Sequence, residues 1–169
     1  MAKILRLLEA TTALGDSQPP PTALQDDTAG AVLTQAEFLA DPGGHSAGGK
    51  RLAVRVAPAD RVEDLAPHLA HVGLVAIEFP GPGEGRGYTY ARLLRQRYDF
   101  RGEIRAVGPA VKQDLLFFMV RCGFDAFELA PAENVDEARH ALRRFTLAYQ
   151  AAVPRTFVQE PRFTAAHRG

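Results

Sequence analysis

Across residues 51–150 the apolar positions switch repeatedly between a period of two and a period near 3.6, and that switching outlines a fold. LAVRVA at 52–57 is a short apolar run of strand length. Asp60 stands three residues before Glu63, the spacing of a capping box, and Val62, Leu65, Leu69 and Val72 then share one helical face. GLVAIEF is a second strand, followed by the loop PGPGEGRG and a helix through Tyr90, Leu93, Leu94 and Tyr98. EIRAVG is a third strand. Val111, Leu115, Phe118 and Cys122 recur at i, i+4, i+7 and i+11 on the next helix, with Gly123 placed as its C′ residue. FDAFEL is a fourth strand, and Asn134 with Glu137 opens a last helix striped by Val135, Ala138, Leu142, Phe145 and Tyr149. Short strands alternating with helices of about 10–15 residues imply right-handed crossovers and a parallel sheet. The predicted fold is α/β: four parallel βα units, either half-TIM-barrel-like or a small open parallel sheet.

The flanks read differently. Residues 1–50 form an N-terminal segment in which ILRLL is strand or helix, GDSQPPPTALQDDTAG is loop, and AVLTQAEFLA is a short helix ended by the breaker DPGGHSAGGK. Residues 51–150 are the βα-repeat domain. Residues 151–169, with prolines, charge and little periodicity, read as an extended tail.

Each proposed strand carries one charged residue near its middle or end: Arg55, Glu78, Arg105 and Glu128. Side chains alternate across a strand, so Val54 and Val56 oppose Arg55, and Ile77 and Phe79 oppose Glu78. Ile104 and Ala106 likewise oppose Arg105, and Phe127 and Leu129 oppose Glu128. The apolar sets can all meet the helices, leaving four charges of alternating sign on the second face. Such charges need partners or water. The plainer reading makes one or two of them strand ends reaching solvent.

In a parallel βα sheet the loops that leave the strand C-termini share one edge, where ligands usually bind. Gly85, Arg86, Gly87 and Tyr88 belong to such a loop, which feeds a helix N-terminus; glycines permit close approach, and Arg86 can clamp an anion bidentately. The spacing matches neither a Walker loop nor a dinucleotide fingerprint, and a tight turn with Arg86 paired to Glu84 or Glu78 is the competing reading. Lys112, on the same edge, can assist Arg86. Glu78 and Arg105 complete the candidate ligand-binding set; no catalytic residue is assignable.

Composition narrows the function classes. Twenty basic and twenty acidic residues leave no net charge, which argues against nucleic-acid and polybasic membrane binding. No apolar run reaches the roughly 18 residues of a membrane span, and the first residues lack a convincing secretory signal, so the expected localisation is cytoplasmic. The one cysteine, Cys122, sits on an apolar stripe and reads as buried and inert. The five histidines show no metal-ligand spacing, so no metal site is expected, and no cofactor motif is evident. Arg92, Arg95, Arg97 and Arg101 form a local basic patch beside Tyr98, either a docking surface for an acidic protein or a solvated helix face.

From about residue 72 to residue 150, with an echo in AVLTQAEFLA, the chain resembles the bacterial family called domain of unknown function 934. The residues that carry this are EFP, GRGY, ARLLR, GEIRAVG and RCGFDAF, in that order. The loop departs from the family pattern at Pro82, Glu84 and Thr89, where an aromatic, an aspartate and a serine are usual, and Pro109 stands in place of an acid. Members are often described as probable oxidoreductases of sulfite reduction, because their genes lie beside that of assimilatory sulfite reductase. The resemblance therefore implies an accessory protein working with sulfite reductase or a related redox protein, in electron delivery, assembly or substrate handling. Two other expectations come from the residues alone. One is a small enzyme or binding protein for an anionic metabolite at Arg86, with Glu78 as acid or base. The other is an interaction module that completes its half-barrel as a homo-oligomer.

Overall fold

In a computed structural model, which describes residues 3–7, 32–44 and 51–143, all four apolar runs that carry Arg55, Glu78, Arg105 and Glu128 are strands. Numbered after β1 (Lys3–Arg6) and β2 (Leu33–Thr34), they are β3 (Leu52–Val56), β4 (Val72–Glu78), β5 (Glu103–Val107) and β6 (Ala126–Leu129). The six form one open sheet in the order β1-β6-β5-β4-β3-β2. Strands β2 to β6 pair in parallel and in sequence order, and only β1 runs antiparallel, against β6. The parallel reading is correct, and the sheet is longer than expected: Leu33 and Thr34 pair with Val54 and Arg55 and add a fifth parallel strand.

Among the described residues four α-helices accompany the sheet: α1 (Gln35–Ala40), α2 (Arg86–Arg92), α3 (Leu116–Cys122) and α4 (Val135–Arg143). Helix α1 starts in a capping box, with Thr34 Oγ1 accepting the Glu37 N–H and the Glu37 carboxylate accepting the Thr34 N–H at 2.8 Å. The expected box at Asp60 and Glu63 does not form. Asp60 accepts the Ala57 N–H at 2.7 Å instead, and residues Val62–His71 wind as a 3-10 helix containing Pro67, while Val72 already belongs to β4. Helix α2 runs on into a single π turn, Leu93–Arg97, closed by the Tyr98 N–H on the Leu93 carbonyl.

Helix α3 corrects the expected phase. It starts at Leu116, buries Leu116, Met119 and Val120, and leaves Phe118 55% exposed, so the stripe through Phe118 is not the core stripe. Gly123 does end it in the left-handed conformation, φ 109°. Asn134 accepts the Asp136 N–H at the start of α4, whose Ala138 is buried. Phe145, Tyr149 and the tail at 151–169 lie outside the described residues.

One continuous core joins the sheet's apolar face to the helices: Val54, Val56, Val75, Ile77, Ile104, Phe127 and Leu129 meet Phe38, Leu65, Leu94, Leu116, Met119 and Ala138. Each such large side chain contributes about 1.5–3 kcal/mol on burial. The second face holds a smaller cluster, Ala53, Leu74, Ala76 and Val107.

Candidate functional site

Register decides where the four strand charges lie. Arg55 and Arg105 both stand opposite Ala76, Glu78 opposite Val107, and Arg105 opposite Ala126, two residues before Glu128. All four therefore belong to the second face, away from the helices. Arg55 and Glu78 pair across β3 and β4 at 3.1 Å. Arg105 does not pair with either glutamate of that set. Its guanidinium binds Glu103 of its own strand, with Nε at 2.7 Å, and Glu103 also accepts from Arg6 of β1 at 3.3 Å. The side chains of Arg6, Glu103 and Arg105 are each at least 84% buried. This triad was missed in the sequence because Arg6 and Glu103 become neighbours only through the β1–β6 pairing.

Parallel pairing of β3 to β6 sends the loops after each strand to one rim. There Arg86 opens α2, and both oxygens of Glu84 receive it: the Arg86 backbone N–H and Nε reach Oε1 at 3.1 Å, and Nη2 reaches Oε2 at 3.3 Å. The Arg86 side chain is 61% exposed. The hydrogen bond from Arg86 holds the Glu84 carboxyl below its usual range, and Glu84 in turn raises Arg86. A bidentate oxyanion seat exists here, and the chain's own carboxylate sits in it.

The neighbouring glycines have unlike roles. Around Gly85 a Cβ would meet nothing within 4 Å, whereas at Gly87 it would lie 2.5 Å from Phe79 Cζ. Gly87 is thus a spacer that lets α2 pack against the end of β4. Tyr88 sets its ring edge-on to Phe79 at 5.2 Å, and burial pushes its phenol up. Lys112 does not open a helix, since α3 begins four residues later. It binds Glu133 at 3.2 Å and so ties the loop after β5 to the loop after β6. The rim brings Arg86 and Lys112 to one edge, each with its own carboxylate, and no bond joins them to each other or to Glu78 among the described residues.

The opposite rim carries the interaction least visible in the sequence. Arg95, counted above in an exposed basic patch, is buried. It donates to the carbonyls of Gly123 at 3.0 Å, Phe100 at 2.6 Å and Gly102 at 2.8 Å, and pairs with Asp125. Asp125 also accepts the Ile104 N–H at 2.8 Å. Burial pushes the Asp125 carboxyl up, against the pull of Arg95 and that amide. Cys122 is half-buried rather than fully buried, and burial raises its thiol. Among the described residues no three His, Cys, Asp or Glu side chains converge as metal ligands do, and no helix is long and apolar enough to cross a membrane.

A sequential parallel sheet with its helices on one face and its loops gathered at one rim defines a mixed α/β protein of βα units. Comparison with protein families places it more closely. The chain belongs to the family described as "Bacterial protein of unknown function (DUF934)", whose model matches residues 53–159. No curated protein matches the chain.

Proposed function

We propose that this protein is a cytoplasmic accessory protein of assimilatory sulfur metabolism, acting with sulfite reductase in electron delivery, assembly or substrate handling. The observation that carries this reading is the family match over residues 53–159, joined to the sulfite context that the EFP, GRGY and RCGFDAF likeness implies. The rim is compatible with it: its loops expose Gly83, Gly85 and Arg86 beyond the strands, on the edge where α/β proteins meet ligands and partners. The test is a pull-down of the tagged full chain from cells growing on sulfate, with an absorbance spectrum of the eluate. Sulfite reductase in the eluate, and sulfate auxotrophy of a deletion strain, are expected. Normal growth on sulfate together with an eluate free of that enzyme overturns the proposal.

The seat at Arg86 favours a second reading, a binding protein for a small oxyanion. Three donors already hold a carboxylate there, so sulfite, sulfate or phosphate has a place to bind once Glu84 moves aside. Thermal shifts with these three anions check it. Glu84→Gln, which removes the internal competitor, strengthens binding several-fold, and Arg86→Ala abolishes it. No shift in either the native chain or Glu84→Gln ends this reading.

A further inference from the structure

Thr89, Arg92, Leu93, Gln96 and Arg97 line an open groove of about 610 Å³ along the outer side of α2 and its π turn. The π turn shapes this lining. It turns Leu94 and Arg95 inward together, Arg95 onto Asp125, while Gln96 and Arg97 stay on the surface that carries Arg92. Other arginines of this stretch are neutralised: Arg86 by Glu84, Arg95 by Asp125, and Arg101 by Asp99. Arg92 and Arg97 have no ion pair among the described residues; Arg97 lies over the Tyr98 ring at 5.8 Å. Among the described residues the lining contains no carboxylate, and the half-buried Leu93 shares it with the two arginines. The positive field extends to α3, where Arg92 and Arg121 both draw the Cys122 thiol down against its burial.

We propose that this groove docks an acidic amphipathic helix of a partner protein, with carboxylates on Arg92 and Arg97 and an apolar side chain over Leu93. Two charges around one aliphatic contact suit a helix in a groove; a nucleic-acid strand calls for a longer row of cations and stacked aromatic rings. The proposal rests on the reading that the protein works through a protein partner, whichever partner that is.

The test uses the full chain and a labelled synthetic Glu/Leu amphipathic helix, followed by fluorescence anisotropy at low salt. Arg92→Glu/Arg97→Glu weakens binding by about tenfold or more and gives affinity for the Lys/Leu counterpart, while Arg51→Glu, an exposed charge just before β3, leaves binding unchanged. Both replaced side chains are exposed, and an unchanged melting temperature confirms that the fold survives. Equal binding by the double variant overturns the proposal, as does full displacement of the peptide by single-stranded DNA. The sulfate-grown pull-down separates the two levels. A partner held by the native chain and lost by the double variant supports the groove. A partner held by both overturns the groove and leaves the accessory role standing. If the native chain recovers no partner and the deletion strain grows normally on sulfate, the accessory role fails and the peptide titration alone decides the groove.

Discussion

The two rims of the sheet use similar residues to opposite ends. At the rim where the strands begin, Arg95 threads between three carbonyls and Asp125, and the glycines beneath it are crowded. A Cβ at Gly102 would lie 2.4 Å from the Gly73 carbonyl oxygen, and one at Gly123 would lie 2.6 Å from Arg95 Cγ. At the rim where the strands end, the exposed Arg86 reaches one glutamate, and Gly81, Gly83 and Gly85 have open space around them. An arginine among glycines is a structural clamp in the first case and an adjustable surface in the second. The difference is desolvation, which makes a broken ion pair costly only where water cannot replace it.

The comparison breaks most visibly at Arg95. Arg95→Ala strands a partly buried carboxylate and three carbonyls, and destabilises the fold by about 3–5 kcal/mol, read from urea unfolding. A loss below about 1 kcal/mol would make the two rims equivalent. Gly102→Ala follows, at about 1–3 kcal/mol, because the new methyl meets backbone rather than a movable side chain. The pH dependence comes next. Since burial raises the Asp125 pKa in the folded state, that state takes up the proton first. Stability through this residue therefore rises as pH falls from the raised value toward the ordinary carboxylate value, and is level on either side. Asp125→Asn removes the rise, and unfolding midpoints measured from pH 7 down to about pH 4 expose it as the difference between the two proteins. Superimposable pH profiles contradict the assignment. Smallest is Gly85→Ala on the open rim, which changes stability by less than about 0.5 kcal/mol.

Much of the sheet was legible because four strands combine short apolar runs with a charge near the middle or end, a pattern that specifies face as well as position. Strand β2 was not, since two residues carry no period, and LT is indistinguishable from the start of the helix it precedes. The phase of α3 was misread because LLFFMV is apolar on every side. With no polar contrast, the stripe through Phe118 fits as well as the true one through Leu116, Met119 and Val120. Arg95 looked like surface within RLLRQR, since nothing local separates it from Arg92 and Arg97. Its partner Asp125 lies on the far side of β5 and α3, and only the tertiary fold selects which arginine goes inside. The rim loops could be located from strand direction, whereas the occupant of the Arg86 seat could be narrowed only to Glu84 or Glu78.

Strand β1 has a further consequence for the order in which the chain is made. Lys3 pairs with Leu129 and Arg6 with Ala126, so the first of the described strands has its only described sheet neighbour in the last of them. The remaining strands can zip up one after another as they emerge, each against its predecessor. The edge formed by β1 closes only after β6 has left the ribosome. The Leu7 N–H donates to the Asp125 carbonyl, and antiparallel alternation turns the Leu5 N–H to β6 as well. A stalled chain ending before residue 125 therefore shows unprotected amides at Leu5 and Leu7 in hydrogen exchange, and release past β6 protects them.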